Sequence, residues 1–344
     1  MLEKFLVGTY TKKTSAGVYE MTLDTDTESL SAPTLVAHAD SPTYLALSKA
    51  HKLYAVDKDA AAGQGGTSAF DLSTTPATLL NHVFSNGSSA AYEAIDEARQ
   101  LVYEGNYHTG TVKSFTIQPD GSLALADVIT HTGTVGPKPE QADGPHVHYT
   151  NLTPDNRLIV CDLGLDQVMI YDVSAAGKLT LVSTYQTEPG FGPRHVVFHP
   201  TKPLCYLAGE LSSQIAVLAY DAATGTLTHE QTVSTIPADW TAHNGAAAIR
   251  ISQDGQFVYV SNRGFNTLAV FAVLEDGTLS LRQQISTEGD FPRDFDLDPS
   301  QRFVVAVNQN TDNATLYRRN ATTGQLTLQQ KDVAVPEGVC VLFE

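Results

Sequence analysis

A motif that recurs around the whole chain, β-patterning without helical periodicity and two incomplete repeats at the ends together predict an all-β fold. The architecture they predict is a seven-bladed β-propeller of four-stranded antiparallel blades, its ring closed by pairing the N- and C-terminal strands. The motif is plainest in two stretches. One runs from Gly192-Pro193-Arg194-His195 through VVFHP, LCYLAGE and QIAVLAYD to Gly225 and Leu227. The other runs from Phe291-Pro292-Arg293-Asp294 through FDLDP, FVVAVNQ and ATLYRRN to Gly324 and Leu326. The same start recurs at Ser41-Pro42-Thr43-Tyr44, Ala91-Tyr92, Gly144-Pro145-His146, Asn244-Gly245-Ala246 and Pro336-Glu337-Gly338. The copies stand about 44–53 residues apart, the length of a propeller blade.

Within each copy, three or four short β-rich runs are divided by turn clusters such as Asp254-Gly255, Asp276-Gly277 and Thr224-Gly225. Consecutive hairpin strands read this way. Runs such as FVYVSN (Phe257 to Asn262) and FVVAVNQ (Phe303 to Gln309) are almost continuously apolar, as strands covered on both faces by neighbouring blades should be. The last copy stops after one strand, Gly338 to Phe343. The chain begins at a second strand, Phe5 to Thr9, with Gly17 to Leu23 as the third. Pairing the ends completes one blade and removes the exposed edge an open array would leave. No linker-like stretch interrupts residues 1–344, so one domain is expected, with Ala60 to Gly66 as a hairpin loop.

Composition narrows the function classes. A formal charge of −17 with 42% hydrophobic and 17% charged residues predicts an acidic exterior, which disfavours nucleic acid and anionic membranes as partners. An anionic ligand would need local arginines to overcome that field. The first ten residues do not read as a signal peptide, and no run is long and apolar enough for a membrane helix. Cys161, Cys205 and Cys340 are odd in number and far apart, so neither a disulfide framework nor a cysteine zinc site is indicated. The cytoplasm is the expected location, and the thiols are expected to be buried structural groups.

In a propeller, the loops that lead into each first strand and out of each second strand converge on one end of the central channel. The polar residues at those points are Tyr44, Asn106 with Tyr107, His146 with His148, Asp162, Arg194 with His195, Glu210, Asn244, Asn262 with Arg263, Arg293 with Asp294, and Asn308 with Gln309. Turn-formers alone would satisfy the fold there. Histidines, arginines and a glutamate instead point to a site for an anionic, oxygen-rich ligand. Two plainer uses compete: a histidine or asparagine at a strand start can cap the preceding loop, and Arg194 and Arg263 can be structural partners of Glu210 or Asp162.

The segments VGTYT with GVYE, SPTYLALS, GNY (Gly105 to Tyr107), GPHVH, CDLGLDQV, GFGPRHVVFHP, GELSSQ, YVSNRG and PEGVCV resemble the lactonase-type seven-bladed propellers. That family includes bacterial propeller 6-phosphogluconolactonases and fungal carboxymuconate lactonising enzymes. The resemblance covers essentially the whole chain, and GPRHVVFHP and SNRG are its most specific parts. It implies a catalytic set at a histidine of GPHVH, the arginine of GPRH, the glutamate of GEL and the arginine of SNR. These are His148 with His146 as the alternative, Arg194, Glu210 and Arg263. Asn106, Tyr107, His195, Asn262, Arg293 and Asn308 are the expected substrate contacts.

The resemblance implies hydrolysis of a sugar δ-lactone, foremost 6-phosphoglucono-1,5-lactone of the oxidative pentose phosphate route. Such a reaction needs an activated water, a stabilised oxyanion and a proton for the leaving oxygen. Histidine suits the first of these, arginine suits the oxyanion and the phosphate, and Glu210 orients the histidine or holds an arginine. No GxSxG elbow or Cys/His pair marks a covalent nucleophile. No cofactor or metal is expected, since HVH offers two histidines but no marked third ligand. A muconate-type lactonase or cycloisomerase is the alternative among enzymes. A non-catalytic propeller that binds partners on its face is the alternative outside them.

Overall fold

A computed structural model describes residues 1–344 as seven antiparallel sheets arranged as a propeller. Six blades are cut consecutively from the chain, with innermost strands Leu45–Leu47, Tyr92–Asp96, Val147–Leu152, Pro193–Phe198, Gly245–Ile251 and Pro292–Leu297. We number these blades 2 to 7. Blade 1 is the composite one. Its innermost strand, Gly338–Phe343, pairs with Leu2–Thr9 in the register Phe5 to Phe343 and Val7 to Val341. Gly17–Asp24 follows, and the outer strand is split into Ser29–Leu30 and Thr34–His38. The expected closure by the two chain ends is therefore present.

Second strands are buried on both faces: every residue of Phe257–Arg263 and of Phe303–Asn308 is buried. Outer strands such as Thr226–Ser234 alternate toward exposure, because only one of their faces meets the rest of the molecule. Repeated polar contacts fasten one blade to the next. The hydroxyls of Tyr54, Tyr206 and Tyr259 donate to the carbonyls of Gly121 (3.2 Å), Gly277 (3.0 Å) and Gly324 (2.9 Å) in hairpins of the following blade. Each such buried bond contributes about 1 kcal/mol net.

One local irregularity positions the site. Where the innermost strands of blades 1, 4, 5 and 7 begin, the pairing register skips a residue: Val339, His148, Arg194 and Arg293 respectively. A β-bulge of this kind leaves the extra residue unpaired and re-aims its side chain. All four of these residues line the same cavity at one end of the channel.

Candidate active site

The cavity has a volume of about 290 Å³. Two structurally equivalent sets of positions build its polar wall. The bulged residues His148, Arg194 and Arg293 form the first set. The second consists of the residues at the ends of second strands: Tyr10, Tyr107, Glu210 and Arg263. For Tyr10 and Glu210 the backbone shows the equivalence directly. Tyr10 N donates to Glu337 O and Glu210 N to Gly192 O; in each case the acceptor lies two residues before the bulge. Flanking glycines permit the close approach. A Cβ on Gly209 would lie 2.7 Å from the Phe191 ring, and one on Gly264 would lie 2.2 Å from His243 O.

Glu210 is the hub. Its Oε2 lies 2.9 Å from Arg194 Nε, 2.9 Å from Arg263 Nη2 and 3.9 Å from His148 Nε2. Burial alone would raise its carboxyl, but the charges of Arg263 and Arg194 prevail and bring it down to about 2. Burial pushes the His148 imidazolium well below the usual histidine range, and Arg194 adds to the effect. The ring is therefore neutral near pH 7, with Nδ1 buried and unpartnered. Arg194 is brought down to about 9 by burial and by Arg263, and burial also lowers Arg263. Arg263 is braced by donating to the carbonyls of Gly245 (3.3 Å) and Ala246 (3.2 Å).

An aromatic layer closes the cavity from the rest of the channel. Tyr44 and Tyr92 stack at 3.8 Å, Tyr149 lies 4.4 Å from Tyr92, and His195 meets Tyr44 and Tyr92 edge-on. Arg194 Nη1 lies 3.2 Å from His195 Nε2, and burial, followed by Arg194, keeps His195 neutral. Beyond the layer lies a second cavity of about 320 Å³, lined mostly by apolar side chains. Its arginine, Arg250, is paired with Asp294 at 2.9 Å and with Asp296 at 3.2 Å. The upper cavity is different: of its three arginines, Arg194 and Arg263 share the one carboxylate, Glu210, and no carboxylate pairs with Arg293. The upper cavity thus carries an excess of positive charge within a molecule of net charge −17, a field that favours anionic groups there.

Of the residues expected from sequence, His148, Arg194, Glu210, Arg263, Tyr107, His195 and Arg293 line the cavity. His146 lies beside it, stacked on Tyr107 at 4.1 Å. Its Nδ1 is 2.8 Å from Tyr107 O and its Nε2 is 2.9 Å from Asp143 Oδ1, so both ring nitrogens are engaged. Asn106, Asn262 and Asn308 lie outside the lining and hold loops. Asn106 bonds Ser88 O and the amides of His108 and Thr109; Asn262 bonds Thr235; Asn308 bonds Thr287 O. Asp162 likewise anchors the chain before His148, accepting from His146 N at 2.8 Å and pairing with His131 at 2.7 Å. Tyr10, Thr43, Ser89, His108 and Val339 line the cavity without having been singled out as site residues from the sequence. For Tyr10 a signal was present, since it occupies in blade 1 the place of Glu210 in blade 5. No group of three or more His, Cys, Asp or Glu side chains is arranged to hold a metal ion.

Residues 4–343 match the family described as Lactonase, 7-bladed beta-propeller. The chain belongs to this lactonase family. Its relatives include the 6-phosphogluconolactonase of Bacillus subtilis, 42% identical over 343 residues, with 98% of this chain and 97% of the relative covered. A crystal structure of a protein from Lactobacillus plantarum superposes with a TM-score of 0.98 at 60% identity, over 100% of both chains. The periplasmic gluconolactonase of Pseudomonas aeruginosa superposes with a TM-score of 0.91 at 31% identity, over 100% of this chain and 99% of that one. No helix of this lactonase-family chain is long and apolar enough to cross a membrane.

Proposed function

We propose that the protein hydrolyses a phosphorylated sugar δ-lactone, 6-phosphoglucono-1,5-lactone, to the open acid, in the cytoplasmic pentose phosphate route. The observation that carries this reading is a neutral histidine beside one carboxylate and three arginines in a single cavity. The name of the Bacillus subtilis relative supplies the substrate. Nε2 of His148 takes a proton from the attacking water, and the ring is unprotonated at neutral pH as that role requires. Arg194 and Arg263 stabilise the oxyanion that develops on the lactone carbonyl. Glu210 holds both guanidinium groups and offsets the imidazolium formed during attack. Arg293, the cation without a carboxylate partner, takes the phosphate, with His195 and Tyr107 shaping the wall.

The test is the initial rate of 6-phosphogluconolactone hydrolysis by the purified protein against an enzyme-free blank, because such lactones open spontaneously. His148→Ala and Arg194→Ala should each lose about 100-fold or more in kcat. Retention of the full rate in both variants would remove these residues from the chemistry. A rate no higher than the blank would remove the substrate. The same positive cavity suits a dicarboxylate, so a muconate-type lactone is the comparison substrate. A scaffold role would leave the cellular phenotype unchanged in both variants.

A further inference from the structure

The lactonase reading leaves one step without a group: the departing ring oxygen needs a proton, and every arginine in the cavity is already assigned to charge. Tyr10 is the phenol placed to supply it. It directly follows the second strand of blade 1, in the position that Glu210 occupies in blade 5, and lines the cavity with His148, Arg194, Glu210, Arg263 and Arg293. Its ring lies 5.7 Å from the Arg293 guanidinium carbon and 4.0 Å from Lys12 Nζ. The tyrosines that pack blade against blade spend their hydroxyls on glycine carbonyls. The Tyr10 hydroxyl makes no hydrogen bond within the protein, and the residue lines the cavity.

We propose that Tyr10 is the catalytic acid of lactone opening at this site, an inference that rests on the lactonase reading above. The substrate geometry supports the placement. In a 6-phosphohexono-1,5-lactone the ring oxygen and the phosphate are carried by adjacent carbons, C5 and C6. A donor beside the arginine that holds the phosphate is therefore beside the leaving oxygen, while C1 and its carbonyl extend toward His148, Arg194 and Arg263. The water oxygen bonds to C1 and its proton passes to His148 Nε2. The bond between C1 and the ring oxygen breaks, and that oxygen takes the Tyr10 phenol proton. One proton transfer through solvent, from the imidazolium to the phenolate, restores both groups. The local charges favour the donor: Arg293 foremost lowers the Tyr10 phenol, burial opposes it, and Lys12, Arg263 and Arg194 lower it further. Glu210 is the one carboxylate in the cavity lining, and its charge is taken up by Arg194 and Arg263.

The test is Tyr10→Phe in the full chain, read in two ways. With 6-phosphogluconolactone, kcat should fall about 100-fold, with KM little changed and the thermal transition retained. In a near-ultraviolet titration of the wild type, one phenol should ionise ahead of the others. That phenol should be missing from Tyr10→Phe, and inorganic phosphate should move it to higher pH by neutralising Arg293. Wild-type hydrolysis with an unchanged kcat in Tyr10→Phe would overturn the donor role alone. An early phenol that persists in Tyr10→Phe would overturn the placement. A wild type that opens no lactone, yet shows the phosphate-sensitive phenol, would overturn the lactonase reading and the donor role with it.

Discussion

At the scale of single residues, the mechanism we propose makes the protonation state of His148 govern when the site can act. Burial foremost, then Arg194, lowers its imidazolium well below the usual range, while Glu210 pulls the other way. A base must be unprotonated, so the acidic limb of the pH–rate profile should lie below the ordinary histidine range, leaving the rate flat from about pH 6.5 upward through neutrality. Glu210→Gln removes the one group raising this value. The limb should then move to still lower pH, and kcat should fall because Arg194 and Arg263 lose their common partner. A limb that stays at the wild-type pH in Glu210→Gln would show that the titrating group is not His148. The choice between His146 and His148 was half legible in the sequence. Counting back from Pro154 favours His148, but the bulge that makes it equivalent to Arg194 and Arg293 is a property of the pairing register. The asparagines show the converse. Asn106 and Asn262 stand next to cavity residues in sequence, yet successive side chains on a strand point to opposite faces, so Tyr107 and Arg263 face the cavity while the asparagines cap loops.

At the scale of elements, the interface between blades 2 and 3 holds a group whose state follows from counting protons. Thr67 Oγ1 lies 2.6 Å from Glu93 Oε1 and 2.9 Å from Glu104 Oε2, and Lys113 Nζ lies 2.7 Å from Glu104 Oε1. One hydroxyl proton cannot serve two carboxylates. Thr67 donates to Glu104, which is paired with lysine, and accepts from Glu93 in its acid form. Burial foremost, then Glu104, raises the Glu93 carboxyl well above its usual range. The sign of the stability effect follows. Between the unfolded and the folded value the native state binds the extra proton, so stability is lost as pH rises through that window, by up to about 1.4 kcal/mol per pH unit. Glu93→Gln keeps the shape and a donor for Thr67 without the titration. Its stability relative to wild type, the variant's unfolding free energy minus that of wild type, should therefore increase from pH 5 to pH 8 in denaturant titrations. A difference that does not change with pH would mean that Glu93 is ionised. The sequence displays both glutamates, but that they are directly opposed across neighbouring strands appears only once the register is known.

At the scale of the whole molecule, closing the ring and building the site are one event. The seven copies and the unfinished ends were legible because each blade repeats the same apolar runs and turns, and an unpaired end strand leaves Leu6 and Val7, both fully buried, without cover. What the repeat pattern does not disclose is that the closing segment also holds a wall of the cavity. The Glu337 carboxylate accepts from the amides of Lys12 (3.0 Å) and Lys13 (2.8 Å), and its carbonyl accepts from Tyr10 N at 3.1 Å. The loop after the first strand is thus tied to the last. Deleting residues 337–344 should abolish the cooperative transition and give aggregates on gel filtration, since it opens a hydrophobic edge. Glu337→Ala is the finer test. It leaves Gly338–Phe343 in place but frees the amides of Lys12 and Lys13, both exposed residues, at a cost of about 0.5–1.5 kcal/mol per bond. The ring should remain monodisperse and fold cooperatively at a lower midpoint, while lactone hydrolysis falls because the Lys12–Lys13 loop that follows Tyr10 is no longer tied to the closing segment through the Glu337 carboxylate. Full activity in Glu337→Ala at a lowered midpoint would show that closure stabilises the ring without setting the site.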